Sequence, residues 1–315
     1  MKLAVCKLIN KQDDCISILN WGARIVSWEL NLGKEFRNIV LRYPTLENYL
    51  TDKYCLGASI GLYANRIRDA QFSIDGCIYK LHQNEGKHLL HGGDNGFHNR
   101  YWDIIDVTND SVVLATQVTS KESGFPGVVS VSLEYRLDND GALTCKFRCQ
   151  PTKTTVLGPT VHPYFNLSSN GLSLIDHELC VYADEFTQID DEAIPTGEFV
   201  NSSELGFFVG EFAAINDMML ARNIDHNFTV TPELKKTQAE LVSPDTKIRL
   251  CVYSDYPGLQ VYMSGALGAP FMQYQGVCLE PQFYPNSPNI EHFPFRHTSA
   301  GDTFQKTIVY KISKY

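Results

Sequence analysis

An all-β chain folded as one large antiparallel sandwich is what this sequence predicts, and three observations predict it. Apolar residues recur with period two over most of the length, as they do in strands with one buried face. Turn sequences rich in Gly, Asp and Asn separate those runs at short intervals. No amphipathic stripe is long enough to serve as the crossover helix of a parallel sheet.

Taken in order, residues 46–54 carry the spacing for a turn or two of helix. Residues 72–74 and 77–81 flank Asp75-Gly76, a strong short-range hairpin signal. Residues 102–107 and 112–118 flank the turn Thr108-Asn109-Asp110-Ser111. The clearest strand is 128–137, where valine, leucine and tyrosine alternate with serine, glutamate and arginine. Asp138-Asn139-Asp140-Gly141 then turns the chain into a second strand over 143–149. Residues 212–222 again allow a helical turn or two, and 246–254, 259–264 and 303–312 return to strands. With no fixed-period repeat and no low-complexity linker, residues 1–315 read as a single domain.

Composition excludes several classes of function. A chain of 315 residues that is 43% hydrophobic and 20% charged has the balance of a soluble globular protein with a sizeable core. The 27 Lys and Arg are outnumbered by 36 Asp and Glu, giving a net charge of −9, and no basic run occurs. Phosphate backbones require a positive footprint, so no nucleic-acid partner is expected. No stretch approaches the roughly 18 apolar residues of a membrane span. The opening Met-Lys-Leu-Ala-Val-Cys-Lys breaks off at Lys7, too soon for a signal-peptide core, so the expected location is cytoplasmic. Nine cysteines, an odd number without a Cys-x-x-Cys, read as small buried hydrophobes in a reducing compartment.

The polar residues that carry chemistry sit in segments unlike ordinary strand or turn. Asn65-Arg66 offers a rigid fork of donors suited to hydroxyls or a carboxylate, or else a surface arginine with a packed stem. In His88-Leu89-Leu90-His91-Gly92-Gly93, paired glycines allow the backbone to approach a ligand closely, with His91 at the edge. The two histidines invite a metal reading, but no third ligand follows at a recognised spacing. His162 precedes Pro163 and Glu280 precedes Pro281, and a residue before proline is held in extended backbone. Glu280 closes an apolar run, and burying a carboxylate is costly unless it is paired or used. Two ionisable groups on stiffened backbone suit an acid/base pair, set against the simpler reading of a hydrogen-bonded core histidine. Asp225-His226-Asn227 sets polar residues between Ile224 and Phe228 and, read alone, is a turn capped by Asp225, and Gln260 follows the turn Pro257-Gly258.

Together and in this order, these segments resemble the aldose 1-epimerases, or galactose mutarotases. The shared pieces are Asn65-Arg66-Ile67, Leu90-His91-Gly92-Gly93, Gly124-Phe125-Pro126-Gly127 and His162-x-Tyr164-Phe165-Asn166-Leu167. Ile194-Pro195-Thr196-Gly197-Glu198, Asp225-His226-Asn227-Phe228, Pro257-Gly258-x-Gln260 and Leu279-Glu280-x-Gln282 complete them. The resemblance implies a β-supersandwich and interconversion of the α and β anomers of free hexoses, with no cofactor and no metal. It implies Glu280 as catalytic base, His162 as catalytic acid and His91 assisting at the ring oxygen. Asn65, Arg66, Tyr164, Asp225 and Gln260 would hold the hydroxyls. Val161, Pro163, Pro281 and Asn286 depart from the usual pattern around the acid and the base, which puts sugar preference in question.

Three rival readings make different demands. A glucose-6-phosphate 1-epimerase needs a cationic phosphate clamp, for which Arg68 and Arg100 lie near motifs but outside them. A non-catalytic carbohydrate-binding sandwich would be marked by loss of Glu280 or His162, and both are present. A metal-dependent sugar isomerase needs His91, His162 and Glu280 to converge as ligands. The expected assembly is a monomer or homodimer.

Overall fold

A computed structural model describes residues 2–315. Its centre is a nine-stranded antiparallel sheet formed largely by the predicted strands. The hairpin Val128–Leu137 and Ala142–Pro151 lies in its middle, flanked by Ser111–Thr119 and by the long strand Phe304–Lys314. Alternation decides which face each residue takes: Val129, Val131, Leu133, Tyr135 and Leu137 are buried, while Ser130 and Arg136 face water.

A six-stranded antiparallel sheet packs on the inner face of the first. Its order runs Tyr164–Phe165, Val277–Gln282, Gly258–Tyr262, Asp225–Thr229, Glu185–Ile189, Pro195–Asn201. The junction is visible at Tyr310, whose ring packs tilted against Phe165 at 5.1 Å between centroids and whose hydroxyl donates to the Leu279 carbonyl at 2.7 Å. Val277, Leu279, Leu259 and Val261 point into this shared core with Phe147 and Tyr310. Period two then sends Cys278, Glu280 and Gln282 to the opposite face.

An N-terminal sheet of four strands closes one flank: Val5–Ile9, Cys15–Leu19, Arg24–Asn31 and Phe36–Asn38. These strands lay outside the sequence prediction, because Arg24–Asn31 is buried on nearly every residue and shows no alternation. Helix is confined to short pieces, including the 3-10 turn Leu46–Thr51 and the single α turn Asp217–Leu220. All nine cysteines are free thiols. Among the described residues no helix is long and apolar enough to cross a membrane.

Asp225 does not cap a turn; it opens the strand Asp225–Thr229. The glycine pair after His91 also serves a different purpose from the one its sequence suggested. A Cβ on Gly92 would lie 2.0 Å from the Gly61 carbonyl oxygen, so the close approach is to another loop of the chain.

Candidate active site

On the face of the six-stranded sheet turned from the core, the register aligns polar side chains in rows. Gln260 lies between Asn227 and Glu280, and Tyr262 lies between Asp225 and Cys278. Tyr164 pairs with Cys278 from the sheet edge. These rows form the floor of a cavity of about 310 Å³, at the small end of the usual ~300–1,000 Å³ for ligand sites. Asn65, Arg66, His91, His162, Tyr164, Asp225, Gln260 and Glu280 all line this one cavity, although the chain order scatters them.

Two backbone segments hold His162 in place. Its N–H donates to the Ala58 carbonyl at 2.8 Å, and its own carbonyl accepts from Gly57 at 3.0 Å. The loop before them is tied down by Asp52. That carboxylate accepts from Arg24 at 2.6 Å, Tyr43 at 2.9 Å and the amides of Tyr54 and Leu56. Gly57 is required by space, since a Cβ there would meet the Ile25 carbonyl oxygen at 2.0 Å. Pro281 fits its interior strand because its carbonyl accepts from Thr160 Oγ1 at 2.7 Å. Its missing N–H therefore faces the same side, away from the neighbouring strand Gly258–Tyr262. Asn286 anchors the Arg66 segment, donating its N–H to the Arg66 carbonyl and accepting from the Arg68 amide through its side chain.

His162 Nε2 stands 3.5 Å from Glu280 Oε1, with both side chains almost wholly removed from solvent. Burial is the leading influence on each group, and it acts in opposite directions on carboxyl and imidazole. It pushes the Glu280 carboxyl well above the usual range, helped by the nearby charge of Asp225. It lowers His162 to about 4, outweighing its backbone contact and the pull of Asp52. Burial therefore disfavours charge on either member of the pair. Carboxyl with imidazole and carboxylate with imidazolium differ by one transfer between adjacent groups, so acid and base can exchange parts without a proton entering bulk water.

The remaining groups are partly committed. His91 Nδ1 accepts from the Asn65 amide at 3.1 Å, so the neutral ring carries its proton on Nε2 and can donate there. Burial, then His162, keeps His91 well below the ordinary histidine range. Asn65 Oδ1 accepts from the Arg66 amide at 2.8 Å, leaving its Nδ2 as the free donor. Arg66 grips Glu85 with Nε at 2.6 Å and Nη2 at 2.8 Å, a bidentate pair that fixes its direction and offsets its charge. Gln260 Nε2 donates to Asp225 Oδ1 at 2.6 Å. Gln260 Oε1 and Glu280 Oε2 are buried without a partner among the described residues. Tyr164 donates its hydroxyl to the Tyr54 carbonyl at 2.8 Å, so toward a ligand it can act as acceptor or packing surface.

Sequence reasoning missed Lys53, Tyr54, Cys55, Asn223 and Tyr262, which also line the cavity. Tyr262 was within reach, since it follows Gln260 by two residues on the same strand face. The others come from loops and carry no periodic signal. His88 is not part of the cavity lining; its Nδ1 accepts from the Asp69 amide at 3.0 Å. His162, Cys278 and Glu280 bring potential ligand atoms within 4.8 Å of one another. The thiol and the carboxyl face opposite nitrogens of the imidazole, and His91, the third ligand the metal reading required, is not in that group. The two arginines considered for a phosphate are engaged elsewhere: Arg68 pairs with Asp190 at 2.5 Å, and Arg100 donates to the carbonyls of Gln117 and Asn95.

A stacked antiparallel supersandwich with a buried histidine–glutamate pair amid hydrogen-bonding side chains is an arrangement chemically suited to a small polyhydroxylated ligand. The sequence model of the family described as aldose 1-epimerase matches residues 5–311. The aldose 1-epimerase of Escherichia coli K12 is 31% identical, covering 91% of this chain and 88% of that protein. The galactose mutarotase of Bos taurus is 32% identical, covering 95% and 91%. Among solved structures, the GalM/aldose epimerase homologue from C. elegans superposes with a TM-score of 0.93 at 25% identity, covering 99% of both chains. The chain belongs to the aldose 1-epimerase family.

Proposed function

We propose that this chain is an isomerase that interconverts the α and β anomers of free hexoses such as galactose and glucose, with Glu280 as base and His162 as acid. The observation that carries the reading is the buried histidine–glutamate pair, Nε2 to Oε1 at 3.5 Å, inside a cavity otherwise lined by hydroxyl partners. In ring opening, Glu280 takes the proton of the anomeric hydroxyl while His162 delivers one to the ring oxygen. The C1–ring-oxygen bond breaks as the aldehyde forms. Rotation about C1–C2 exposes the other carbonyl face, and the two groups reverse roles to close the ring.

The proton count of the pair is the same at every stage. Opening converts carboxylate and imidazolium into carboxyl and imidazole, which is the distribution that burial favours. The Nε2–H of His91 would support the ring oxygen, while Asn65, Arg66, Asp225 and Gln260 hold hydroxyls and Tyr164 backs the ring. Each step draws only on side chains of this protein, so the reading calls for no cofactor. Working as one unit over residues 1–315, as a monomer or homodimer, with no nucleic-acid partner and in the cytoplasm, completes the proposal.

Polarimetry on freshly dissolved α-galactose and α-glucose tests it. Optical rotation should decay faster with protein than in buffer for at least one sugar; no acceleration for either would overturn the reading.

A further inference from the structure

His162 has two ring nitrogens, and the strand Val277–Gln282 supplies a partner to each. Nε2 faces Glu280 Oε1 at 3.5 Å, and Nδ1 faces Cys278 Sγ at 3.4 Å. Cys278 precedes Glu280 by two residues, so both side chains leave the same face of that strand. The cysteine is fully buried and packs with Tyr164 in the smaller apolar cluster beside the site.

We propose that Cys278 is a positioning residue that holds His162 as the Nδ1–H tautomer, the ring N–H donating to the thiol sulfur. Nε2 is then the one nitrogen that exchanges protons with the sugar. The inference rests on the acid role given to His162 above.

The chemistry requires such a device. An imidazolium carries protons on both nitrogens, and after Nε2 gives one up the other must stay on Nδ1. If the neutral ring relaxed to the opposite tautomer, Nε2 would be blocked and could not take its proton back during ring closure. The hydrogen bond at one nitrogen decides the state of the other. Sulfur suits the task because it is a neutral and weak acceptor. A carboxylate at Nδ1 would stabilise the imidazolium and make it a poorer proton donor. The thiol stays neutral because burial, then Glu280, pushes it well above its ordinary range. The other groups facing the ring are His91 at 5.5 Å, Tyr164 at 5.0 Å and Tyr262 at 6.5 Å between centroids, with Asp52 and Arg24 acting from farther off. Neither of the two near nitrogen partners duplicates the other, since one lies on each side of the imidazole.

Long-range ¹H–¹⁵N correlation spectra distinguish protonated from unprotonated ring nitrogens and need no substrate. At neutral pH the wild-type spectrum should show His162 protonated at Nδ1 and bare at Nε2. Cys278→Ala should mix the tautomers and lower kcat by about tenfold, the scale of losing a second partner of a working histidine, with KM for galactose little changed. Cys278→Ser, whose hydroxyl also accepts, should restore both the single tautomer and most of kcat. A wild-type ring protonated at Nε2 overturns the inference, as does a Cys278→Ala protein that keeps one Nδ1–H tautomer and full kcat. If Cys278→Ala does not fold, the wild-type and Cys278→Ser spectra still decide. Failure of the anomerase reading would leave the wild-type spectrum unchanged, so the two outcomes are separable.

Discussion

In the nine-stranded sheet, Val128–Leu137 buries five apolar side chains and turns its serine, glutamate and arginine residues outward. In the six-stranded sheet, all of Val277–Gln282 is buried, and that interior includes Cys278, Glu280 and Gln282. The first strand obeys the apolar/polar rule on both faces. The second obeys it only on the face toward the core, where Val277 and Leu279 pack. On its other face Glu280 Oε2 and both amide atoms of Gln282 lack a partner among the described residues, and so do those of neighbouring Asn227. Buried polar groups left unpaired each cost about 1–3 kcal/mol. Both sheets contribute to the core, but the second also carries buried polar groups that oppose folding. The lesson is that the site lies where the pattern that makes the fold is broken.

The largest effect that could sharpen this contrast is expected from Glu280→Gln. The rate acceleration should fall about 10²–10⁴-fold, the usual contribution of positioned proton transfer. Stability should move the other way, and its sign follows from linkage. The folded protein keeps on Glu280 a proton that the unfolded chain releases, so wild-type stability declines as pH rises above the ordinary carboxyl range toward the raised folded value. Glutamine cannot ionise, so the melting-temperature advantage of the variant should grow from pH 5 to pH 8. An advantage that shrinks over that interval would show that the carboxyl is not held neutral.

Phe147→Ala should give the opposite phenotype. Phe147 is fully buried in the central sheet, and its truncation should cost about 3–5 kcal/mol in urea unfolding. The folded fraction should retain its kcat and KM; a selective loss of kcat would break the division of labour between the sheets. Asp225→Ala comes next. Removing the carboxylate that accepts from Gln260 should raise KM by roughly one to two orders of magnitude, the worth of a charged hydrogen bond, with little change in kcat. A fall in kcat alone would assign Asp225 to the chemistry. The smallest effect belongs to Arg136→Ala on the outer face of the central sheet. Its pairs with Asp110 and Glu134 are about half exposed, and stability should change by less than about 0.5 kcal/mol.

Much of this was legible before any coordinates. The strands with one wet face, 128–137 and 143–149 above all, announce themselves by alternation. Strands buried on both faces do not, and Arg24–Asn31 escaped for that reason. Glu280 stood out because burying a carboxylate at the end of an apolar run is costly unless it is paired or used, and His162 because proline stiffens the backbone beneath it. Tyr54 and Asn223 reach the cavity from loops, where no rule connects spacing to direction. Cys278 was counted as one more buried hydrophobe, yet its offset of two from Glu280 already placed both on one face.

The sequence by itself determined the strands with one wet face, the turns that join them and the side to which their residues alternate, because these depend on neighbours along the chain. Only the tertiary structure decided that His162 meets Glu280 from more than a hundred residues away, that Arg66 is spent on Glu85, and that a thiol stands behind the imidazole. Those contacts depend on which strands pair and in what register, a choice made by the packing of the whole core and not by any segment in isolation.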